Sequence, residues 1–554
     1  MCDGTHACYI IISEGCESMV KTAIDFLETR DLLIGHNIVY DLQVLYKYGM
    51  TKEPELFCTM IAHHLLDENS RHGLKELAAS VLGATTTKYD EIEDHSSAEF
   101  ISYAINDAVW TWQLASLFRD QLLQEDLVPL FRDIEMPFQY VLRDMKVAGM
   151  LVDVDLLRTK RKELELHTDQ LYKSLVQEAG VSGSFNFNSS KQLGELLFTT
   201  LGLPIQDVTP SGAPSVGSAA LVKLKSHPIV SKILEYKNLR KLLTSYFAEN
   251  AQILSNIDPD NRVRPSFLDF GTKTGRLSCN SPNLQQLPKE SKDPVGTRSC
   301  FIVPKGYKMI TCDYSGQEVA VAAQQSKDPT LVDALNKGQD MHLRIANQFY
   351  NLGIPDEALF KTHPDYDTYK DKYYNERNQA KVITFGLFYG KGAYGFAKDF
   401  DISEEEAQEI VDKYFEGMPQ LKEAIEHAHD QVKAHGYVSS MSGRRRRFEQ
   451  MTNRFGEKYY NNMSLRQSFN FLIQGYSADM IRMAMTAVRH VSKEYPQWDL
   501  KAIATVHDEA VYEVKEEYTD VAAQAIKKAF ESVTEFVVPI VADIGIGKDY
   551  GEAK

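Results

Sequence analysis

Two short strings constrain this chain more than anything else in it: Asp313-Tyr314-Ser315 and His507-Asp508-Glu509. Each follows a run of strand character, residues 307–312 ahead of the first and 502–506 ahead of the second, so each sets a carboxylate where a strand ends. Residues 510–514 read as a strand returning from the second string, which makes His507-Asp508-Glu509 a tight turn at the tip of a strand pair. A lone aspartate at a strand end is usually a turn former or a helix cap. Two brought together are a pair of hard oxygen donors, able to hold two Mg²⁺ ions (with Mn²⁺ as a substitute) that activate one oxygen and stabilise another in phosphoryl transfer.

Between the two strings, residues 377–391 read as one helix. It places Arg377, Lys381, Phe385 and Tyr389 at successive steps of four. Four residues advance about 400° around a helix, so each side chain lands only ~40° from the last and the four form a slowly drifting stripe. A bland surface helix does not carry two cations and then two aromatics on one face. Cations so placed suit a ligand that carries several negative charges, such as a phosphate chain. Gly386 and Gly390 leave room on the same helix for close approach.

A chain of 554 residues is too long for one core and suggests three or four units. A net charge of -16 argues mildly against a polyanionic partner, but an acidic protein can carry a basic groove, and local charge decides phosphate contact. The seven cysteines (Cys2, Cys8, Cys16, Cys58, Cys279, Cys300, Cys312) are odd in number and form no C-x-x-C pair. That favours a reducing compartment over a disulfide framework or a thiolate zinc site. No apolar run approaches the ~18 residues of a membrane span, and the first residues have no basic or apolar leader. Residues 1 to about 126 read as α/β, with short strands at 9–13 and 31–35. Residues 155–178 and 217–255 read as long helical stretches, with a Gly/Ser/Pro-rich loop at 203–218 between them. Strands and loops follow to about 320, and 330–435 is mostly helical, with Ser403-Glu-Glu-Glu as a capped helix start.

Together the first aspartate string, the cationic-aromatic helix and the His-Asp-Glu turn resemble motifs A, B and C of the family A DNA polymerases, the group of bacterial DNA polymerase I and many phage replicative enzymes. The resemblance implies an α/β and α+β multidomain chain: an RNase H-like exonuclease remnant followed by a right-hand polymerase. Its expected parts are an incomplete 3′–5′ exonuclease-like domain at 1–126, connector and thumb at 127–260, a first part of the palm at 261–336, fingers at 337–431 and a second part of the palm at 432–554. It implies metal ligation by Asp313, Asp508 and the backbone carbonyl of Tyr314. It implies phosphate binding by Arg377, Lys381 and His342, with Lys381 also the proton donor to the leaving group. Phe385 would pack on the sugar and Tyr389 beneath the templating base. Glu318, with Gln317 beside it, would exclude a 2′-hydroxyl. The string around it reads Ser-Gly-Gln-Glu rather than Ser-Gln-Ile-Glu, and Ala320 stands where an arginine is usual.

The DNA-handling elements implied by the resemblance are Lys191 in a duplex-gripping turn, Thr272, Arg276, Asn283 and Gln285 in a primer-template strip, and Arg466, Asn470, Gln474 and Gly475 in another. Arg276 is the expected minor-groove reader, and His507 and Glu509 would stand near the primer end. Arg444 to Arg447 is a basic run that reads equally as solvated surface or as duplex contact. In the N-terminal segment, Asn37 and Asp41 resemble the second carboxylate motif of the proofreading exonuclease, and Tyr103 and Asp107 the third. The first motif, Asp-x-Glu, is missing, so loss of proofreading is expected. The implied partners are primer-template DNA and dNTPs, with no membrane, for a monomer in the cytoplasm of a bacterial or phage-infected cell. With no 5′-nuclease segment ahead of it, the chain resembles a stand-alone phage or bacterial replication or repair polymerase, and a processivity partner is left open. A single-subunit RNA polymerase, a 3′–5′ exonuclease and a non-catalytic DNA-binding protein are the competing readings.

Overall fold

The structure, a computed structural model, describes residues 1–10, 16–94, 96–209, 211–288 and 293–554. Of the strand expected at 9–13, residues 11–13 lie outside the described residues, and Tyr9 and Ile10 have no regular structure. The chain divides into two compact units. One comprises 1–148, 267–279 and 310–545; the other comprises 149–266, 280–309 and 546–554.

The larger unit starts with a small parallel sheet. Strand β1 (Leu32–Gly35) pairs with β2 (Glu55–Cys58) in register Leu32↔Glu55 to Gly35↔Cys58. The crossover that parallel pairing requires contains α1 (Ile38–Lys47). Helices α2 (Thr59–Leu66), α3 (Leu74–Leu82) and α4 (Ala98–Gln124) follow. They bury Ile38, Leu42, Phe57, Ile61, Leu114 and Phe118 in one core. The first turn of α4 is capped by Ser97, whose hydroxyl accepts from the Phe100 amide at 3.1 Å.

Helix α5 (Met136–Ala148) leads into the second core of this unit, which is built on a four-stranded sheet. The sheet contains β3 (Tyr307–Tyr314, within this unit from Ile310), β4 (Lys501–Val506), β5 (Glu509–Lys515) and β6 (Ala542–Gly547), in the order β4-β5-β3-β6. Strands β4 and β5 are antiparallel, closing on the pair Val506↔Glu509. The connection is therefore a two-residue turn of His507 and Asp508, one residue tighter than the sequence suggests. His507 takes φ 60°, the left-handed conformation such turns demand. Helices α6 (Gln317–Ser326), α7 (Met341–Tyr350), α8 (Tyr374–Phe388), α9 (Asn462–Glu494) and α10 (Thr519–Glu531) contribute to the same core, as do the helices Pro329–Asn336, Ala393–Phe400, Glu404–Glu416 and Pro419–His435. The long α9 is buried on nearly every side from Phe471 to Arg482, so it runs through the core rather than along its surface. The helix expected after Ser403 runs Glu404–Glu416, and its start is a capping box between Ser403 and Glu406.

The smaller unit is an antiparallel three-stranded sheet, Arg262–Val263, Met150–Val152 and Phe301–Ile302, with helices Val154–Ala179 and Pro228–Leu242. The first helix matches the stretch expected at 155–178. The stretch at 217–255 is not one helix: Ser218–Val222 ends before Pro228–Leu242 begins. Pro228 is the reason. It lacks an amide and disfavours helical geometry at His227, so it can open a helix but not continue one.

Candidate active site

Asp313 is the penultimate residue of β3, and Asp508 stands immediately ahead of β5, the strand beside β3. One sheet thus brings to neighbouring strands two carboxylates that the sequence holds far apart, and both are half-buried. Tyr314 is buried, with its ring 5.1 Å from that of Phe530 and its hydroxyl donating to the Phe530 carbonyl at 2.9 Å. Its side chain is thus engaged in the core. Glu509 is buried at the start of β5, and its carbonyl accepts from the Thr505 hydroxyl, while His507 is exposed.

Helix α8 ends at Phe388, earlier than the 391 expected. Gly390 adopts φ 71°, the Lys391 amide donates to the Gly386 carbonyl at 2.7 Å, and the helix closes there. Tyr389 consequently caps the helix end, stacked 6.3 Å from Phe385 at 28°. The two glycines do admit close neighbours. A Cβ on Gly386 would lie 2.6 Å from the Phe396 ring, and one on Gly390 would lie 2.6 Å from the Arg466 carbonyl oxygen.

The stripe on α8 differs along its length. Arg377 donates through Nε (2.9 Å) and Nη2 (2.7 Å) to Asp340, while Lys381 is exposed. His342, on α7, lies with its ring 5.6 Å from Phe385. Burial holds its pKa down to about 4, with Arg377 and Lys381 lowering it further against Asp340, so the imidazole is neutral at pH 7. At the other end of the stripe, Glu318 of α6 accepts from the Tyr389 hydroxyl at 2.7 Å and from Arg276 at 2.7 Å. Burial raises the Tyr389 phenol, as do Glu318 and Asp508, which puts Asp508 in the same electrostatic neighbourhood. Gln317 points elsewhere: it is buried and donates to the Ser477 carbonyl of α9 at 3.1 Å.

The remaining positions separate. Thr272 accompanies Arg276, donating to its carbonyl at 2.6 Å. Arg466, Asn470 and Gln474 lie four apart on α9. Arg466 is exposed there, and the buried Asn470 Nδ2 has no hydrogen-bond partner among the described residues. Gly475 packs 3.6 Å (from an added Cβ) below the Thr274 carbonyl. Asn283, Gln285 and Lys191 belong to the smaller unit. There Asn283 accepts from the Gln285 amide, and Lys191 is exposed on a short helix capped by Ser189.

The run Arg444–Arg447 is neither solvated surface nor a free basic patch. Arg444 is buried and bonded to Asp479 and Glu135; Arg445 pairs with Glu125, and Arg447 with Glu68 at 3.0 Å. Glu53 similarly accepts from Arg143 at 2.8 Å, and from Arg489 and Lys493. Those three cations overcome the effect of burial and take its carboxyl down to about 2. These acids of the N-terminal segment hold it to the helices and hairpin that follow.

In that segment Asp41 and Asp107 line one cavity of about 500 Å³. Burial raises Asp41 to about 6. Asp107 is bonded to Lys75, whose ammonium also lies 3.6 Å from the centre of the Tyr103 ring. Asn37 precedes α1 with φ 56° and makes no side-chain capping bond. Among the described residues no three His, Cys, Asp or Glu side chains form a ready metal site. In this cavity a lysine already neutralises one of the two carboxylates.

Two family models match the chain: that of DNA polymerase family A over residues 154–552, and that of a 3′–5′ exonuclease over residues 1–123. The chain belongs to DNA polymerase family A. DNA polymerase I of Pseudomonas aeruginosa is 30% identical over 543 residues, which cover 95% of this chain and 57% of that protein. The thermostable DNA polymerase I of Thermus aquaticus is 32% identical over 436 residues, covering 78% and 49%. The chain spans about half the length of the curated relatives it matches. A solved structure described as the POL domain of Pol1 from M. smegmatis in complex with DNA primer-template and dNTP is similar with a TM-score of 0.82 and 26% identity, over 96% of this chain and 89% of that one.

Family A polymerases depend on divalent metal ions. The donor set at Asp313 and Asp508 fits such ions: two half-buried carboxylates on adjacent strands offer hard oxygens and leave positions for water and phosphate. No helix of the described residues is long and apolar enough to cross a membrane. Sequence reasoning missed Asp340 and Lys75. Asp340 carried one usable signal, its place just ahead of an apolar-periodic stretch, which marks a helix cap; nothing local announced that Lys75 would meet Asp107.

Proposed function

We propose that this chain is a template-directed DNA polymerase that joins dNTPs to a primer 3′-hydroxyl, in replication or repair, with proofreading lost. The observation that carries the reading is the meeting of three parts in one unit. They are the Asp313–Asp508 strand pair, the Arg377–Lys381–Phe385–Tyr389 face of α8, and Glu318 bonded to that face through Tyr389. Asp313, Asp508 and the Tyr314 carbonyl would hold two Mg²⁺ ions, which would supply Lewis acidity to the attacking and leaving oxygens. Arg377, Lys381 and the neutral His342 would bind the triphosphate, and Lys381, exposed on the same face, would deliver a proton to the pyrophosphate. Phe385 would meet the sugar, and Glu318, fixed between Tyr389 and Arg276, would fill the space of a 2′-hydroxyl.

In this reading the palm comprises 261–336 and 432–554, the fingers 337–431, and the connector and thumb 127–260, with the exonuclease-like domain at 1–126. Primer-template DNA would be held by Lys191, Thr272, Arg276, Asn283, Gln285, Arg466, Asn470 and Gln474, with His507 and Glu509 at the primer end. Arg276 would leave Glu318 to reach the minor-groove acceptors that all correct pairs share. The Lys75–Asp107 pair supports loss of the nuclease. The enzyme would act as a monomer. Primer extension with Mg²⁺ tests the proposal. The wild type should extend with dNTPs and not with rNTPs, and a folded Asp508→Ala should not extend. Equal use of rNTPs would favour an RNA polymerase, and near-normal extension by Asp508→Ala would remove that residue from the mechanism.

A further inference from the structure

Asp340 caps α7, with its side chain 3% exposed. One carboxylate oxygen accepts from the Leu343 amide at 3.0 Å. The other accepts from Arg377 at 2.9 and 2.7 Å and from the Tyr366 hydroxyl at 2.7 Å. Four donors converge on a single buried carboxylate. They come from three places in the chain: the start of α7, the helix Tyr366–Lys372, and the first turn of α8.

The consequence lies in what these elements carry. His342 is the second residue of α7, so the cap that fixes the helix start fixes the imidazole too. The buried His342 Nδ1 has no hydrogen-bond partner among the described residues, so this ring owes its position to α7 and to Phe385. Arg377 is the first cation of the α8 stripe. Its grip on Asp340 uses Nε and Nη2, a planar fork that sets the guanidinium orientation and leaves Nη1 and one Nη2 hydrogen for another acceptor.

We propose that Asp340 is a positioning residue of the nucleotide site: it locks Arg377 and His342 into one unit that meets the triphosphate, and Tyr366 completes the lock. The inference rests on the polymerase reading for the identity of the ligand. Its physical basis is preorganisation. An arginine already held in its bound rotamer loses little freedom when a phosphate arrives, whereas a freed arginine must be ordered at that moment.

Asp340→Asn is the informative variant. Asparagine caps a helix as well as aspartate does, but it lacks the charge that holds Arg377. The expected result, at saturating primer-template, is a KM for dTTP raised about tenfold with kcat within about twofold, the effect of one long side chain released from its bound rotamer. Tyr366→Phe should shift KM in the same direction by less. In a double-mutant cycle, Asp340→Asn added to Arg377→Ala should cost no more than Arg377→Ala alone, because asparagine keeps the cap beneath His342 and Arg377 is no longer there to be held. Isothermal titration of dTTP into the enzyme should show the same weakening without turnover.

An unchanged KM and dTTP affinity in Asp340→Asn would overturn the proposal. So would additive losses in the cycle, which would mean that Asp340 acts on stability rather than through Arg377. A lowered KM would also overturn it, showing that Asp340 masks Arg377 instead of presenting it. A wild type that binds dTTP but extends no primer would sink the polymerase reading and leave this test standing on the binding data.

Discussion

Arg444→Met should be among the most destabilising single changes in the protein, although a run of four arginines looks like surface. The guanidinium is 3% exposed and lies between Glu135 (1%) and Asp479 (0%). It donates to Asp479 from Nη2 at 2.5 Å and from Nε at 3.1 Å, and also to Glu135. The other nearby cation, Arg482, stands 3.4 Å from Glu135 and 3.8 Å from Asp479. Methionine replaces most of the stem, so little cavity forms, and the cost is chiefly that of two buried carboxylates left with Arg482 as their shared cation and, for Asp479, the Ser442 hydroxyl. Breaking a buried pair in this way costs about 3–5 kcal/mol. For a unit of roughly 400 residues the unfolding entropy near 60 °C is about 0.8 kcal/mol/K, so the melting temperature should fall by about 4–6 °C. Burial pushes the Glu135 carboxyl up, and Arg482 and Arg444 together more than offset it. Without Arg444 that carboxylate should seek a proton, so the deficit should be largest near pH 8 and shrink toward pH 5. Differential scanning calorimetry of wild type, Arg444→Met and Arg444→Met/Glu135→Gln measures all of this. The double variant should regain part of the loss. A fall below about 1 °C, or a double variant no better than the single, would refute the buried-network account.

Lys381→Ala should slow nucleotide addition by about two orders of magnitude, the scale of one lost proton donor or charge-stabilising cation; rapid-quench single turnover measures the rate, and unchanged primer-template affinity localises the defect. Asp41, raised to about 6 by burial, keeps its proton in the folded protein where the unfolded chain has lost it. Its contribution is therefore full below about pH 4 and lost as pH rises through 6, so Asp41→Asn should melt higher than wild type at pH 8, with the gap closing toward pH 4. His72 shows the opposite sign: burial and His63 depress it to about 4. The unfolded chain then takes up the proton first, and stability should fall as pH drops from about 6.5 to 4, less so in His72→Gln. Gly390→Ala should destabilise by about 1–3 kcal/mol, since it forces a Cβ onto the Arg466 backbone at a left-handed φ; chemical denaturation measures the loss.

Much of the site was legible because its signals are local. Helical periodicity alone aligns Arg377, Lys381, Phe385 and Tyr389, and strand-turn-strand patterning alone exposes Asp508. Ser403 and Glu406 reveal a helix start within four residues. Local patterning therefore sufficed for the stripe and the turn, and the family came from their resemblance to known motifs. It left undecided which charges would meet. Glu135 lies 309 positions from Arg444, and Asp340 lies 37 from Arg377. Four adjacent arginines are equivalent in a sequence, yet packing buries the first beside two acids and leaves Arg446 near Gln467 at 3.2 Å. Likewise, Glu318 could have been a solvated helix residue until the fold set Tyr389 and Arg276 on either side of it. Periodicity sets the face of an element on which a charge stands. What lies opposite that face is settled by the folded chain, because removing a charge from water is tolerable solely where packing brings a counter-charge to meet it.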